Sequence, residues 1–236
     1  MKVSLMFLLF IVAMPNISIG CDVNDERVKE WAARLQSDKN TPLDDNQIKY
    51  ACKLIFDIDD HIMQAQNAIS QIASDRVSYR DKIGNSGLIE KTIQSFFLNG
   101  GIPVEVFHSY SDKRQPPDEI RIRTYLQRLV DLTSKGIYSM VRLMYDQEEM
   151  KLIDIFQLDS KGDAFQIEIQ AFQEFRVCKT NDGRNCYVDI VKRRFIVRVT
   201  DKNSDEPKLK ILRITALDTW PPDYFYKNRN SLMGRE

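Results

Sequence analysis

The feature that most constrains the fold is a long alternation of apolar and polar side chains in the back half of the chain. From Phe165 to Val177, apolar residues lie on one side of an extended strand and polar residues on the other. Similar strand-like runs follow from Tyr187 to Thr200 and from Leu209 to Thr219. These segments predict a long-stranded antiparallel sheet, and strands of this length usually bend or carry bulges. Its apolar face must be covered by other elements.

The front half of the chain predicts helices that would cover this face. Residues 25–35 form a short amphipathic helix, and a long helix runs from Leu43 to about Asp75, with Thr41 as the expected cap. One side of this helix carries an apolar stripe, called the seam below, whose residues repeat at heptad spacing. They are Ile48, Ala51, Ile55, Ile58, Ile62, Ala65, Ile69 and Ile72. The sequence leaves two alternatives for the surface against which this seam packs. One is the sheet and first helix of the same chain, and the other is a second copy in a coiled-coil dimer.

Shorter elements connect the long helix to the long strands. A helix is predicted over residues 88–98, a strand over 102–110, and a further helix from Gln115 to Gly136. Strands are predicted over residues 137–145 and 151–158. Helices first and long hairpins afterwards indicate an α+β fold, with helices packed on one concave face of a curved antiparallel sheet.

The four cysteines predict two disulfide bonds. Cys178 and Cys186 are placed symmetrically around an Asn-Asp-Gly turn between two strands, so they can face each other across a hairpin. Cys21 and Cys52 are then left as the second pair. Free buried thiols are the alternative.

The first twenty residues are typical of a secretory signal peptide. A short positive start precedes an apolar run from Leu5 to Met14, and small residues precede Cys21. A bacterial lipoprotein signal is the alternative, but Ile19 occupies a position where that motif wants a small residue. No later segment has the apolar length of a membrane span. We therefore expect a secreted, extracellular protein.

Composition argues against several functional classes. The chain has 34 Lys and Arg against 34 Asp and Glu, so no excess of positive charge would attract nucleic acid. It has only two histidines and no phosphate-binding glycine loop, so we expect neither a metal nor a nucleotide cofactor. Asp57, Asp60 and His61 lie on adjacent turns of the long helix, and we interpret them as a solvated face.

The order of elements from Leu88 to Trp220 resembles the nuclear-transport-factor-2-like family. There, helices precede a strongly curved sheet whose last three strands are long, like residues 164–177, 187–200 and 209–219 here. Secreted nematode proteins of this kind carry a signal peptide and end the last strand near an aromatic segment. The resemblance implies a cystatin-like cone with a cavity at its mouth, and often a dimer. It implies no particular reaction.

This resemblance suggests a division of the chain. Residues 1–20 would be the signal peptide, and residues 21–83 an N-terminal helical extension outside the basic fold. Residues 84–222 would form the nuclear-transport-factor-2-like domain, and residues 223–236 a C-terminal tail.

Four polar residues are candidates for groups inside the cavity. Asp154, Asp189 and Arg193 alternate with apolar residues on strands. His108 is a candidate because enzymes with the cone fold generally pair an acid or a histidine with a tyrosine, and its position in the cone stays open. We interpret Asp189 and Arg193 as a structural ion pair or as solvated groups at a strand end. An inward-facing carboxylate would have a raised pKa and could act as a general base.

Three functions are compatible with these features. The first is a secreted, non-catalytic α+β protein that binds a small apolar ligand or a protein partner. The second is a lyase or isomerase, which requires Asp154, Asp189 or His108 to converge in one pocket. The third is an oligomeric protein organised by the helix from Ile48 to Ile72. The first is favoured, because no motif supplies a matched acid and base.

Overall fold

The computed structural model describes residues 25–36, 42–106, 117–145, 150–158, 164–179, 185–201 and 207–232. Their helices are α1 (Glu26–Leu35), α2 (Asp45–Ile72), α3 (Tyr79–Lys82), α4 (Leu88–Phe96), α5 (Ile122–Ser134), α6 (Pro222–Lys227) and α7 (Arg229–Leu232). Their strands are β1 (Pro103–Val106), β2 (Asp118–Arg121), β3 (Met140–Tyr145), β4 (Lys151–Gln157), β5 (Phe165–Cys178), β6 (Cys186–Thr200) and β7 (Lys208–Trp220). The helices pack on a curved sheet, which confirms the α+β class.

The three long strands form the centre of the sheet. Its order is β2-β1-β7-β6-β5-β3. Strand β3 pairs with the second half of β5, and β4 pairs with the first half on the same edge. The β6–β7 register shifts twice, which confirms the expected bulges. One pairing differs from an all-antiparallel sheet, because Val104 of β1 lies parallel to Ile214 of β7. The chain between these strands crosses over instead of turning back in a hairpin.

The disulfide between Cys178 and Cys186 confirms the predicted hairpin bridge. The two residues are direct partners in the β5–β6 register, with a Cα–Cα distance of 4.1 Å. The second predicted bridge joins Cys52 to Cys21, which lies outside the described residues, so that pairing stays a prediction.

Removing the hairpin bridge should weaken the fold measurably. We expect the Cys178→Ala/Cys186→Ala variant to lose about 2.5 kcal/mol of unfolding free energy, because the open chain regains loop entropy. Urea unfolding of the variant and of the wild type would measure the difference. An unchanged unfolding midpoint would show that the sheet alone fixes this hairpin.

Helix α2 packs within its own chain. Its seam residues from Ala51 to Ile72 are buried in the same hydrophobic cluster as the inner face of the sheet, and Ile48 packs against that cluster half-buried. The helix begins at Asp45, and its cap is Asp44 rather than the expected Thr41. Asp44 accepts from the Gln47 backbone N–H while the Gln47 side chain accepts from the Asp44 N–H, a reciprocal capping box. No helix in the described part of the chain is long and apolar enough to cross a membrane.

The sequence prediction for the segment before α5 is wrong. The helix was expected to start at residues 115–118, but Asp118–Arg121 forms β2, and α5 begins at Ile122. The strand is favoured because β2 pairs with β1. Arg213 also bridges the two strands, with Nη2 at 3.1 Å from a Glu105 oxygen and 2.6 Å from a Glu119 oxygen. The other helix end agrees with expectation, since Gly136 follows α5 with a positive φ of 68°.

A second, smaller hydrophobic cluster lies beside the end of β7. Phe225 of α6 packs against Phe172 and Trp220, with ring centroids 5.1 and 6.0 Å away, and Ile190 completes the cluster. The aromatic segment after β7 therefore covers this part of the sheet.

Candidate ligand-binding site

A cavity lies between α2 and the inner face of the sheet. Its walls are apolar on most sides, and four polar side chains interrupt them: Gln66, Tyr125, Gln173 and Arg193. The space between the walls, including the mouth, is about 360 Å³, but the centre of a water molecule fits in only about 20 Å³ of it. The smaller figure describes the room available, because the larger one counts open solvent. The site therefore has room for a buried water or for a ligand of a few heavy atoms.

Arg193 places a positive charge inside this cavity. Its side chain faces inward by alternation along β6, and the residue is only 5% exposed. Its Nε donates to Gln173 Oε1 at 3.0 Å, and its Nη1 donates to the backbone carbonyl of Glu105 at 2.5 Å. Both acceptors are neutral. Burial lowers the pKa of Arg193, and the nearby Tyr125 and Glu105 oppose that shift.

The carboxylate nearest to this guanidinium has other partners. Glu105 Oε1 accepts from Arg213 at 3.1 Å, and its Oε2 accepts from the backbone N–H of Ala216 at 3.1 Å. The contact of Glu105 with Arg193 runs through the backbone carbonyl instead. The cation in the cavity therefore has no carboxylate of its own in the described part of the chain.

Gln66 is the second unusual polar group. It is 3% exposed, and neither its Nε2 nor its Oε1 has a hydrogen-bond partner in the described structure. Buried side-chain amides are normally hydrogen-bonded, because desolvation without a partner is costly. Tyr125 of α5 lines the same cavity, and burial raises the pKa of its phenol, so it stays protonated at neutral pH. The cavity thus holds a cation and several uncharged polar groups.

The predicted carboxylates do not join Arg193 in the cavity. Asp154 is exposed, because a register shift between Leu152 and Asp154 breaks the alternation of β4. Asp189 is buried and accepts a hydrogen bond from the Tyr187 hydroxyl, but it does not line the cavity. The expected ion pair between Asp189 and Arg193 does not form. The Cα atoms of residues four apart on a strand are about 13 Å from each other, and the Arg193 guanidinium binds Gln173 and the Glu105 carbonyl instead. His108 lies outside the described residues.

A second, open cleft contains the residues that sequence analysis assigned to a solvated face. His61 Nε2 lies 3.2 Å from the Phe96 carbonyl, and Lys210 Nζ donates to the Ser95 carbonyl at 2.8 Å. Asp57 pairs with Lys53 at 3.2 Å. Among the residues with described positions, no cluster of His, Cys, Asp and Glu is arranged to hold a metal ion.

The half-buried His61 should make stability depend on pH. Burial lowers the pKa of His61 below 6.5, with a further lowering from Lys210, while the Phe96 carbonyl and Asp60 oppose the shift. The folded chain then binds this proton less readily than the unfolded chain, so stability is present above about pH 6.5 and is lost as the pH falls. We expect the free energy of unfolding to fall more steeply below pH 6.5 in the wild type than in His61→Gln. Parallel curves in urea titrations at several pH values would contradict this.

Comparisons with known proteins add little. No family model matches this sequence, and no curated protein matches it. Among solved structures, the Kfla4162 protein from Kribbella flavida is 13% identical and aligns over 75% of this chain and 95% of its own length, with a TM-score of 0.34. A likeness at that score carries no argument about function.

Proposed function

We propose that this chain is a secreted, non-catalytic protein of the cystatin-like cone type that binds a small ligand between α2 and the sheet. One observation carries the proposal. A buried cation, Arg193, and a buried amide without hydrogen bonds, Gln66, line the same mostly apolar cavity. Ligand sites typically combine apolar walls with a few convergent polar groups.

The size of the cavity limits the ligand. Drug-sized ligands occupy pockets of roughly 300–1,000 Å³, whereas this cavity admits the centre of a water molecule in only about 20 Å³. We therefore propose a ligand of a few heavy atoms, with an apolar part against the walls and a polar part toward Arg193. The sequence suggested a small apolar ligand, and the polar groups of the cavity restrict the proposed class to ligands that also have a polar end.

The alternative, a lyase or isomerase, finds less support. A general base must lie within hydrogen-bonding reach of the proton that it removes. Asp154 is exposed and Asp189 does not line the cavity, so the described walls hold no carboxylate. Binding therefore fits the described groups better than acid–base chemistry does.

Secretion is supported by the signal-like N-terminus and by the disulfide between Cys178 and Cys186, because such bonds persist in oxidising compartments. A protein partner or a homodimer is the alternative to a small ligand. Native mass spectrometry of material secreted by a eukaryotic host would decide between them. A monomer that begins at Cys21 is expected.

The binding proposal is tested by filling the cavity. Ala65 lines it on α2, whereas Ala68 on the same helix is half-buried and does not. We would screen charged and neutral molecules of up to six heavy atoms by ligand-observed NMR against the wild type, Ala65→Leu and Ala68→Leu. Binders that Ala65→Leu abolishes and Ala68→Leu retains are expected. If no binder depends on Ala65, the cavity is not the binding site.

A further inference from the structure

We propose that the ligand of this cavity is a short-chain carboxylate whose anionic head binds Arg193 and Gln66. The inference rests on the proposed binding function and adds the chemical class of the ligand. It also goes beyond an apolar ligand, because it requires a negative charge at one end of the molecule.

The charge of the buried guanidinium is the first reason. Moving a cation out of water is costly unless an opposite charge compensates for it. Both acceptors that Arg193 has are neutral, and the Glu105 carboxylate is engaged with Arg213 and the Ala216 N–H. No hydrogen bond from the remaining nitrogen, Nη2, is found in the described structure. An anion would compensate the charge and accept from this nitrogen.

The free amide is the second reason, and it is independent of charge. Gln66 lines the same cavity from α2, on the wall opposite the strands, and its Nε2 is an unused donor. A carboxylate has two oxygens, so one can accept from the guanidinium while the other accepts from the amide. A neutral ligand with one acceptor would leave either the charge or the amide unsatisfied.

The walls determine the rest of the ligand. Ile62, Phe97, Phe195 and Ile214 are among the apolar residues that surround the polar groups. A phosphate or sulfate would bring more charge than one guanidinium offsets and no apolar surface for these walls. The small volume favours acetate, propionate or butyrate over longer fatty acids. The other occupant of this size is a buried water that bridges Arg193 and Gln66.

A carboxylate and the amide of the same chain length have nearly the same shape but differ in charge. Comparing their affinities therefore distinguishes recognition of the charge from occupation of the cavity by any molecule of that size. We would titrate ¹⁵N-labelled protein with propionate and propionamide, then with butyrate and butyramide, at constant ionic strength. The variants are Arg193→Met, which removes the charge, and Arg198→Met, which removes an arginine at an outward position of the same strand. We expect the acids to saturate at least tenfold more tightly than the amides, and Arg193→Met to lose at least tenfold in acid affinity. Arg198→Met should retain the wild-type affinity.

The outcomes distinguish this inference from the proposed function. If amides bind as well as acids and Ala65→Leu abolishes both, the cavity binds ligands but the carboxylate class is overturned. If neither binds but other molecules in the screen lose binding in Ala65→Leu, only the carboxylate class is overturned. If no binder of any class depends on Ala65, both proposals fail. Should Arg193→Met not fold, the wild-type ratio of acid to amide affinity decides. Gln66→Leu provides a second test, because it should weaken acid binding several-fold while leaving amide binding within twofold.

Discussion

Replacing Ile58 with asparagine should unfold the monomer rather than dissociate an oligomer. Ile58 is 0% exposed on the seam of α2 and packs in the core that the helix shares with the sheet. The change deletes apolar contacts and buries an amide that has no partner, so we expect a loss of at least about 4 kcal/mol. Far-ultraviolet circular dichroism with urea unfolding would measure it.

The control for this prediction lies on the same helix. Phe56 is 58% exposed, and Phe56→Asn should change stability by no more than about 0.5 kcal/mol. If the seam instead held two chains together, Ile58→Asn would give a folded monomer from a wild-type dimer. Size-exclusion chromatography with light scattering would reveal that result, which would contradict the packing described here.

Truncating Phe195 should both destabilise the protein and enlarge its cavity. Phe195 is 1% exposed on β6 and lines the cavity beside Arg193. Phe195→Ala should cost about 3–5 kcal/mol, because transfer and cavity terms add. Benzene should then bind in the enlarged space and restore part of the thermal stability by mass action.

A second phenylalanine provides the matched control. Phe172 is also buried, but in the smaller cluster with Trp220 and Phe225, away from the cavity. Phe172→Ala should therefore lose stability without a comparable rescue by benzene. Equal rescue of the two variants, measured by thermal denaturation at fixed benzene concentration, would show that the cavity next to Phe195 has no special capacity for ligands.

Local patterns in the sequence were sufficient to predict the three long strands and the hairpin disulfide, and they placed Arg193 on the apolar face of its strand. Each of these depends on alternation or on a short turn, and both are properties of neighbouring residues. The packing of the α2 seam within the chain was one of two alternatives, because heptad spacing does not say which surface covers an apolar stripe.

The polar partners in the cavity depend on contacts between distant segments. Gln173 did leave a signal, since it is a polar residue at an inward position of the alternating strand β5. Gln66 directly follows a seam residue, and only the crowding of neighbouring elements shows that it is buried. The Glu105 carbonyl reaches Arg193 through the crossover that places β1 beside β7, which no local pattern predicts.

The outward position of Asp154 has a different cause. Alternation placed it with Leu152 on the apolar face, but the register shift between these two residues reverses the alternation for the rest of β4. A bulge of this kind depends on pairing with the neighbouring strand and leaves no mark in the sequence.

A crystal structure of the protein soaked with bromopropionate tests the central claim most directly. Bromine scatters anomalously, so its position can be assigned without ambiguity. The account predicts a bromine peak against the apolar walls near Phe195, with the carboxylate within hydrogen-bonding distance of Arg193 and Gln66. An ordered water bridging these two side chains, with no bromine in the cavity, would contradict it.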